Sequence, residues 1–269
     1  MRKLFLLILL SGLIFILPTI AQAQTPSVDL VVTHIFGKQI DIQADFQSDL
    51  QIQSIKIMIQ ANDGDIIAAE ALSPSPGGQV RYSLDLVQQP IRAFSPLSIW
   101  FEIDYKDGSS QTTEATNYLY DDNRFDWQDL HSNEFSVYWY QDDPDLGQAI
   151  INVAYEGLER IQNQVDVPSP QGIVIYAYTS VVDMQETLMF SGGASYWVAG
   201  HADSDLGVIV VSLPPGPEQT MEIKRQIPHE LVHVLLHRKM GSGYSNLPRW
   251  VNEGLASTAE LFPNPDYQL

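Results

Sequence analysis

The segment His229-Glu230-Leu231-Val232-His233 constrains this chain more than any other, because its chemistry requires a helix. Two histidines four residues apart on a helix are separated by about 400° of rotation, so both imidazoles leave one face a turn apart and can grip a single metal ion. Zinc suits such ligands, and catalytic zinc sites commonly take three protein ligands and keep a fourth position open. Glu253, in the downstream run Trp250-Val251-Asn252-Glu253-Gly254-Leu255-Ala256, is the candidate third ligand. Glu230 lies about 100° round the helix from His229, where it reaches the attacking water instead of the metal, as a general base does.

The flanking residues define the two helices that would carry these groups. The first is expected over residues 218–240, with Arg238 and Lys239 in its last turn and Gly241 closing it. Pro228 removes one helical hydrogen bond, so the helix is expected to kink just before His229 or to start afresh at the proline. Leu231, Val232, Val234, Leu235 and Leu236 cover so much of its circumference that it should cross the domain interior. The second helix is expected to start at Pro248 and to end before Pro263-Asn264-Pro265. Gly254 inside it costs about 1 kcal/mol relative to alanine. The expected compensation is close approach to the metal helix, which would bring Glu253 to the zinc.

At the other end, residues 1–23 have the form of an export signal: Arg2 and Lys3, the apolar run Leu4 to Leu17, and Ala21-Gln22-Ala23 as a cleavage site. The apolar run stops at Pro18, short of the roughly 20 residues a spanning helix needs, so no membrane insertion is expected after cleavage. A secreted or cell-envelope location follows. Loss of Arg2 and Lys3 takes the formal charge from −19 to −21. Such an acidic chain is repelled by nucleic acid and by anionic membranes, which removes both as partners. With no cysteine, disulfides, a thiol nucleophile and cysteine metal ligands are excluded.

The organisation expected is α+β in two domains. Residues 26–120 alternate like an all-β domain, with runs at 28–35, 39–46, 52–59, 66–71, 79–87, 97–105 and 111–120. Turn signals separate them, including Asn62-Asp63-Gly64 and Pro74-Ser75-Pro76-Gly77-Gly78. Seven short strands at this spacing suggest a β-sandwich of immunoglobulin or fibronectin III style. Residues 121–134 read as a linker. From 135 the pattern is mixed: strands at 135–140, 172–178 and 207–213, helices at 144–164 and 181–188, and a loop at Ser191-Gly192-Gly193-Ala194. Ala149, Ile150, Val153, Leu158 and Ile161 are the inward positions expected in the first of those helices.

The two motifs, His229 to His233 and Trp250 to Ala256, resemble those of the gluzincin metallopeptidases, and especially the peptidase MA-like domains of exported bacterial proteins. The resemblance covers residues 135 to 261. It implies that His229, His233 and Glu253 bind one zinc ion, that Glu230 is the catalytic base, and that a peptide substrate pairs with an edge strand beside the metal helix. Gly207 to Leu213 matches that strand in placement. Where thermolysin-like members carry an aspartate four residues after the glutamate ligand, this chain has Ser257, and Glu260 is the nearest substitute. His237, four residues past His233, is expected to pack or to support the site. The group continues into a helical subdomain, whereas this chain ends sixteen residues after Glu253, so a truncated member is expected. A zinc peptidase is therefore the main reading. The competing one is a secreted binding or adhesion protein whose metallopeptidase-like domain is silent.

Overall fold

A computed structural model describes residues 27–62, 64, 66–75, 78–190 and 200–262. Outside them lie the expected export signal, the loop at Ser191-Gly192-Gly193-Ala194, the Pro263-Asn264-Pro265 stop, and Asp63, Pro76 and Gly77 of two expected turns. The architecture is α+β, with three sheets and four α-helices among the described residues.

The first eight strands, β1 (Ser27–Ile35), β2 (Gln39–Gln47), β3 (Ile52–Ala61), β4 (Ile66–Leu72), β5 (Gln79–Asp85), β6 (Ser95–Tyr105), β7 (Ser110–Thr112) and β8 (Thr116–Tyr120), form two antiparallel sheets. Their orders are β1-β2-β5 and β4-β3-β6-β7, with β8 also on β6. Period-two alternation decides the packing. Ile40, Ile42, Ala44 and Phe46 of β2 face Ile55, Ile57 and Ile59 of β3 and Ile99, Phe101 and Ile103 of β6 in one core. Two strand ends differ from expectation for local reasons. The run expected at 79–87 stops at Asp85, whose carboxylate accepts from the Val87 and Gln88 amides at 2.8 and 3.3 Å. The run expected at 111–120 divides because the Thr113 hydroxyl, not a carbonyl, takes the Phe101 N–H at 3.0 Å.

The third sheet has the order β12-β13-β11-β10-β9. It contains β9 (Gln128–His131), β10 (Phe135–Trp139), β11 (Ile173–Tyr178), β12 (Gly200–Asp203) and β13 (Val208–Ser212). The neighbours β10, β11 and β13 run parallel, while β9 and β12 close the two sides antiparallel. Such interior strands are covered on both faces and read as continuous apolar runs. Ile173, Ile175, Ala177, Ile209 and Val211 join the helix-side core, and Val208, Val210, Tyr176 and Tyr178 the sandwich-side core. This corrects the expected substrate strand: Gly207 to Leu213 contains β13, an interior strand paired on both sides. Among the described residues the edge is β12, whose four residues were too few to show a period.

On the helix side lie α1 (Leu146–Gln162), α3 (Gln219–Met240) and α4 (Arg249–Ala259), while α2 (Val181–Phe190) packs with the sandwich-side core. Of the inward positions expected in α1, Ile150, Val153, Leu158 and Ile161 are buried, but Ala149 is exposed. Among the described residues no helix is long and apolar enough to cross a membrane.

The expected linker, residues 121–134, is built into the fold. It contains β9, and Asp122 is completely buried. The Asp122 carboxylate accepts from Arg124 Nε and Nη2 at 2.8 Å each, from the Tyr178 hydroxyl at 2.9 Å and from the Thr187 hydroxyl at 2.8 Å. A buried carboxylate without such partners would be costly, and here every one lies within reach. Phe125 stacks on Tyr140 at 4.2 Å, and Phe94 of the sandwich stacks on Tyr176 of β11 at 3.8 Å. Four consecutive polar or charged residues, Asp121-Asp122-Asn123-Arg124, look like a solvated linker until the partners that neutralise them are known.

Candidate metal centre

Helix α3 runs continuously from Gln219 to Met240 through Pro228, so the fresh start at the proline does not occur. Proline has no N–H for the Lys224 carbonyl four residues back. That carbonyl instead accepts from the Leu261 amide, just beyond α4, at 2.9 Å. The proline ring is accommodated because the facing position on α1 is Gly157, where a Cβ would come within 2.7 Å of the Pro228 Cβ. The defect that threatened the helix thus becomes a docking point for the end of α4.

Docking α4 sets Glu253 opposite the two histidines. Glu253 Oε2 lies 3.4 Å from His229 Nε2 and 3.7 Å from His233 Nε2, and all three ligand atoms fall within 4.8 Å of one another. Ligands bound at about 2.0–2.1 Å around a tetrahedral zinc are separated by roughly 3.3 Å, so the spacing fits that ion. The expected role of Gly254 is corrected. It is exposed, and a Cβ there would meet nothing within 4 Å. Ala256 and Ala259, both fully buried, are the small residues of α4 in the helix-side core. Trp250 also faces outward, with 79% of its surface exposed.

The remaining ring nitrogens are engaged. His229 Nδ1 donates to Glu260 Oε1 at 2.9 Å, and His233 Nδ1 donates to Asn252 Oδ1 at 3.1 Å. Asn252 Nδ2 donates to the Tyr244 hydroxyl at 2.9 Å, which fixes the amide orientation. Both imidazoles therefore turn Nε2 toward Glu253, as ligand histidines do when an acceptor holds the other nitrogen. Glu260 is almost fully buried and occupies the supporting place for which it was the nearest sequence candidate. Burial pulls the His233 pKa down, and the neighbouring His229 adds to this.

The Glu230 carboxylate lies against β12, beside Gly200. Burial pushes its pKa up to about 7, with His229 opposing and Glu253 reinforcing the shift. Its carboxylate accepts from the Ala202 backbone N–H. A Cβ at Gly200 would come within 2.8 Å of Glu230 Oε1, so the bare backbone there makes room for the carboxylate. All four expected site residues, His229, Glu230, His233 and Glu253, line one groove of about 760 Å³ that runs past β12.

His201, Tyr244 and Asn252 also line this groove, and they were not among the expected site residues. Asn252 directly precedes Glu253, which was its only sequence signal. His201 sits on β12, where burial lowers its pKa and Asp203 partly offsets this. His237 pairs with Asp205 at 3.0 Å and packs edge-on against Tyr244 at 5.3 Å, in a supporting position.

Residues 153–269 match the family model described as the Peptidase MA superfamily. The matched Peptidase MA segment begins inside α1 and contains every residue of the metal centre, so it supports a gluzincin-like peptidase domain. The sandwich and strands β9 and β10 precede it. No curated protein matches the chain. Among solved structures, a carbohydrate-binding module of family 56, a β-1,3-glucan binding domain, is 13% identical with a TM-score of 0.24, covering 34% of this chain and 98% of that one. A structure described as a myokine is 13% identical with a TM-score of 0.29, covering 36% and 96%. A polysaccharide deacetylase from Bacillus cereus is 10% identical with a TM-score of 0.29, covering 71% and 60%. At these scores the likenesses carry no functional argument.

Proposed function

We propose that this protein is an exported zinc-dependent metallopeptidase of gluzincin type. The observation that carries the reading is the convergence of His229 Nε2, His233 Nε2 and Glu253 Oε2, with both Nδ1 atoms engaged behind them. His229, His233 and Glu253 would hold the zinc ion, which would supply Lewis-acid chemistry toward a carbonyl and a water. Glu230 accepts the proton of the attacking water and returns it to the leaving amine. Strand β12 takes over the substrate-binding role first expected of Gly207 to Leu213. An extended peptide adds along β12 on the side that faces the groove. The β1-β2-β5 and β4-β3-β6-β7 orders support an immunoglobulin- or fibronectin III-like sandwich in front of the peptidase domain. The pattern of residues 1–23 supports export.

The test is metal analysis of purified protein together with hydrolysis of an unstructured polypeptide. One zinc per chain is expected, lost in His229→Ala. Glu230→Gln should keep the metal and lose about 10²–10⁴-fold in turnover. Unchanged hydrolysis by Glu230→Gln would overturn the mechanism. Zinc without hydrolysis by the parent would favour a silent, binding domain.

A further inference from the structure

The groove is not confined to the peptidase segment. Arg92, Ala93 and Phe94, which connect β5 to β6 in the sandwich, line it opposite α3 and α4. This connection is held tightly. Ile91, Ala93 and Phe94 are all buried. Phe94 has a φ of 63°, unusual for a non-glycine residue, and its amide donates to the Tyr120 carbonyl at 2.7 Å while its ring stacks on Tyr176. Such a conformation is strained for a non-glycine residue and persists only where the surroundings impose it.

Arg92 is therefore presented from a fixed base. Its Nη1 donates to both carboxylate oxygens of Asp203, at 3.1 Å each, and lies 3.4 Å from Asp205 Oδ2. Asp203 is the last residue of β12, and its Oδ1 also accepts from the Leu206 amide at 3.3 Å, closing the turn into β13. Asp205 in turn meets His237 of α3, one helical turn beyond His233, at 3.0 Å. A continuous set of polar contacts thus runs from the sandwich, through the end of β12, to helix α3. Among the described residues, four of β12 pair with β13.

We propose that Arg92 is a positioning residue for the substrate strand: through Asp203 and Asp205 the sandwich domain fixes β12 at the distance from α3 that peptide binding requires. The sandwich is then a working wall of the cleft and not an appended module. This rests on the peptidase reading for its catalytic consequence but not for its structural one. An ion pair whose arginine is partly exposed contributes modestly to stability, so Arg92 acts chiefly on geometry.

The experiment compares the full chain with Arg92→Ala and Arg92→Lys. Steady-state hydrolysis is measured on the best-cleaved member of a quenched-fluorescent peptide library, alongside hydrogen exchange and zinc content. Arg92→Ala should raise KM about threefold to tenfold with kcat and zinc retained. It should also speed exchange of the amides at 200–203 but not of those in α3. Arg92→Lys should recover part of both effects, since a point charge still meets Asp203. A residue serving only global stability would lower Tm and leave KM in place, and that result would overturn the proposal. Exchange in β12 identical to the parent would overturn it equally. If the parent cleaves no peptide, the peptidase reading fails, and the exchange comparison still decides whether Arg92 holds β12.

Discussion

On one side of the groove, His229, Glu230 and His233 follow one another on α3, and Asn252, Glu253 and Glu260 follow on or beside α4. On the other side, β12 is backed by Arg92 from the sandwich, more than a hundred residues away in sequence. The first wall concentrates its chemistry in two short runs, and a helical period suffices to see that they share a face. The second has no period of its own, and its geometry comes from charges brought together by packing. Catalytic groups demand fixed spacing on rigid elements, whereas a substrate strand needs only a free edge, which many sequences can supply.

Substitutions at three positions probe that contrast. The largest effect is expected where the sandwich-side packing rests on one buried charge. Asp122→Ala removes the buried carboxylate shared by Arg124, Tyr178 and Thr187, and should lower unfolding free energy by about 3–5 kcal/mol in chemical denaturation. A change below 1 kcal/mol would show that this network does not hold the sandwich-side packing together. Next comes the support of the metal wall. Glu260→Ala removes the acceptor behind His229 and should weaken zinc affinity about 10–100-fold, read by competition with a chelating dye. Glu260→Gln, which keeps an acceptor oxygen, should recover much of the loss. Smallest is Gly254→Ala. Because a Cβ there meets open space, it should raise stability by up to about 1 kcal/mol without altering zinc content. A loss of zinc would restore the idea that Gly254 is needed for close helix approach.

Much of the fold is legible in the chain, for identifiable reasons. The alternation in β2 and β3, and the apolar runs of β11 and β13, state burial directly through period and continuity. What was misjudged depends on partners remote in sequence. The polar run at 121–124 resembles a linker because nothing nearby announces that Tyr178 and Thr187 will enclose Asp122. Strand β13 resembles an edge because β12, four residues of mixed character, has no signature. Pro228 resembles a break because its remedy, the Leu261 amide, lies at the far end of the next helix.

The convergence of His229, His233 and Glu253, with Glu230 in the same groove, was foreshadowed by the sequence itself: their residue types and helical spacing leave little freedom in how they can come together. Tertiary structure alone decided which strand faces them, which acceptors hold the two imidazoles, and that Arg92 of the sandwich reaches the same groove. Spacing along a helix is a local property, carried by the backbone period. The neighbours of an edge strand or a buried carboxylate are set by the packing of separate elements, which no local pattern encodes.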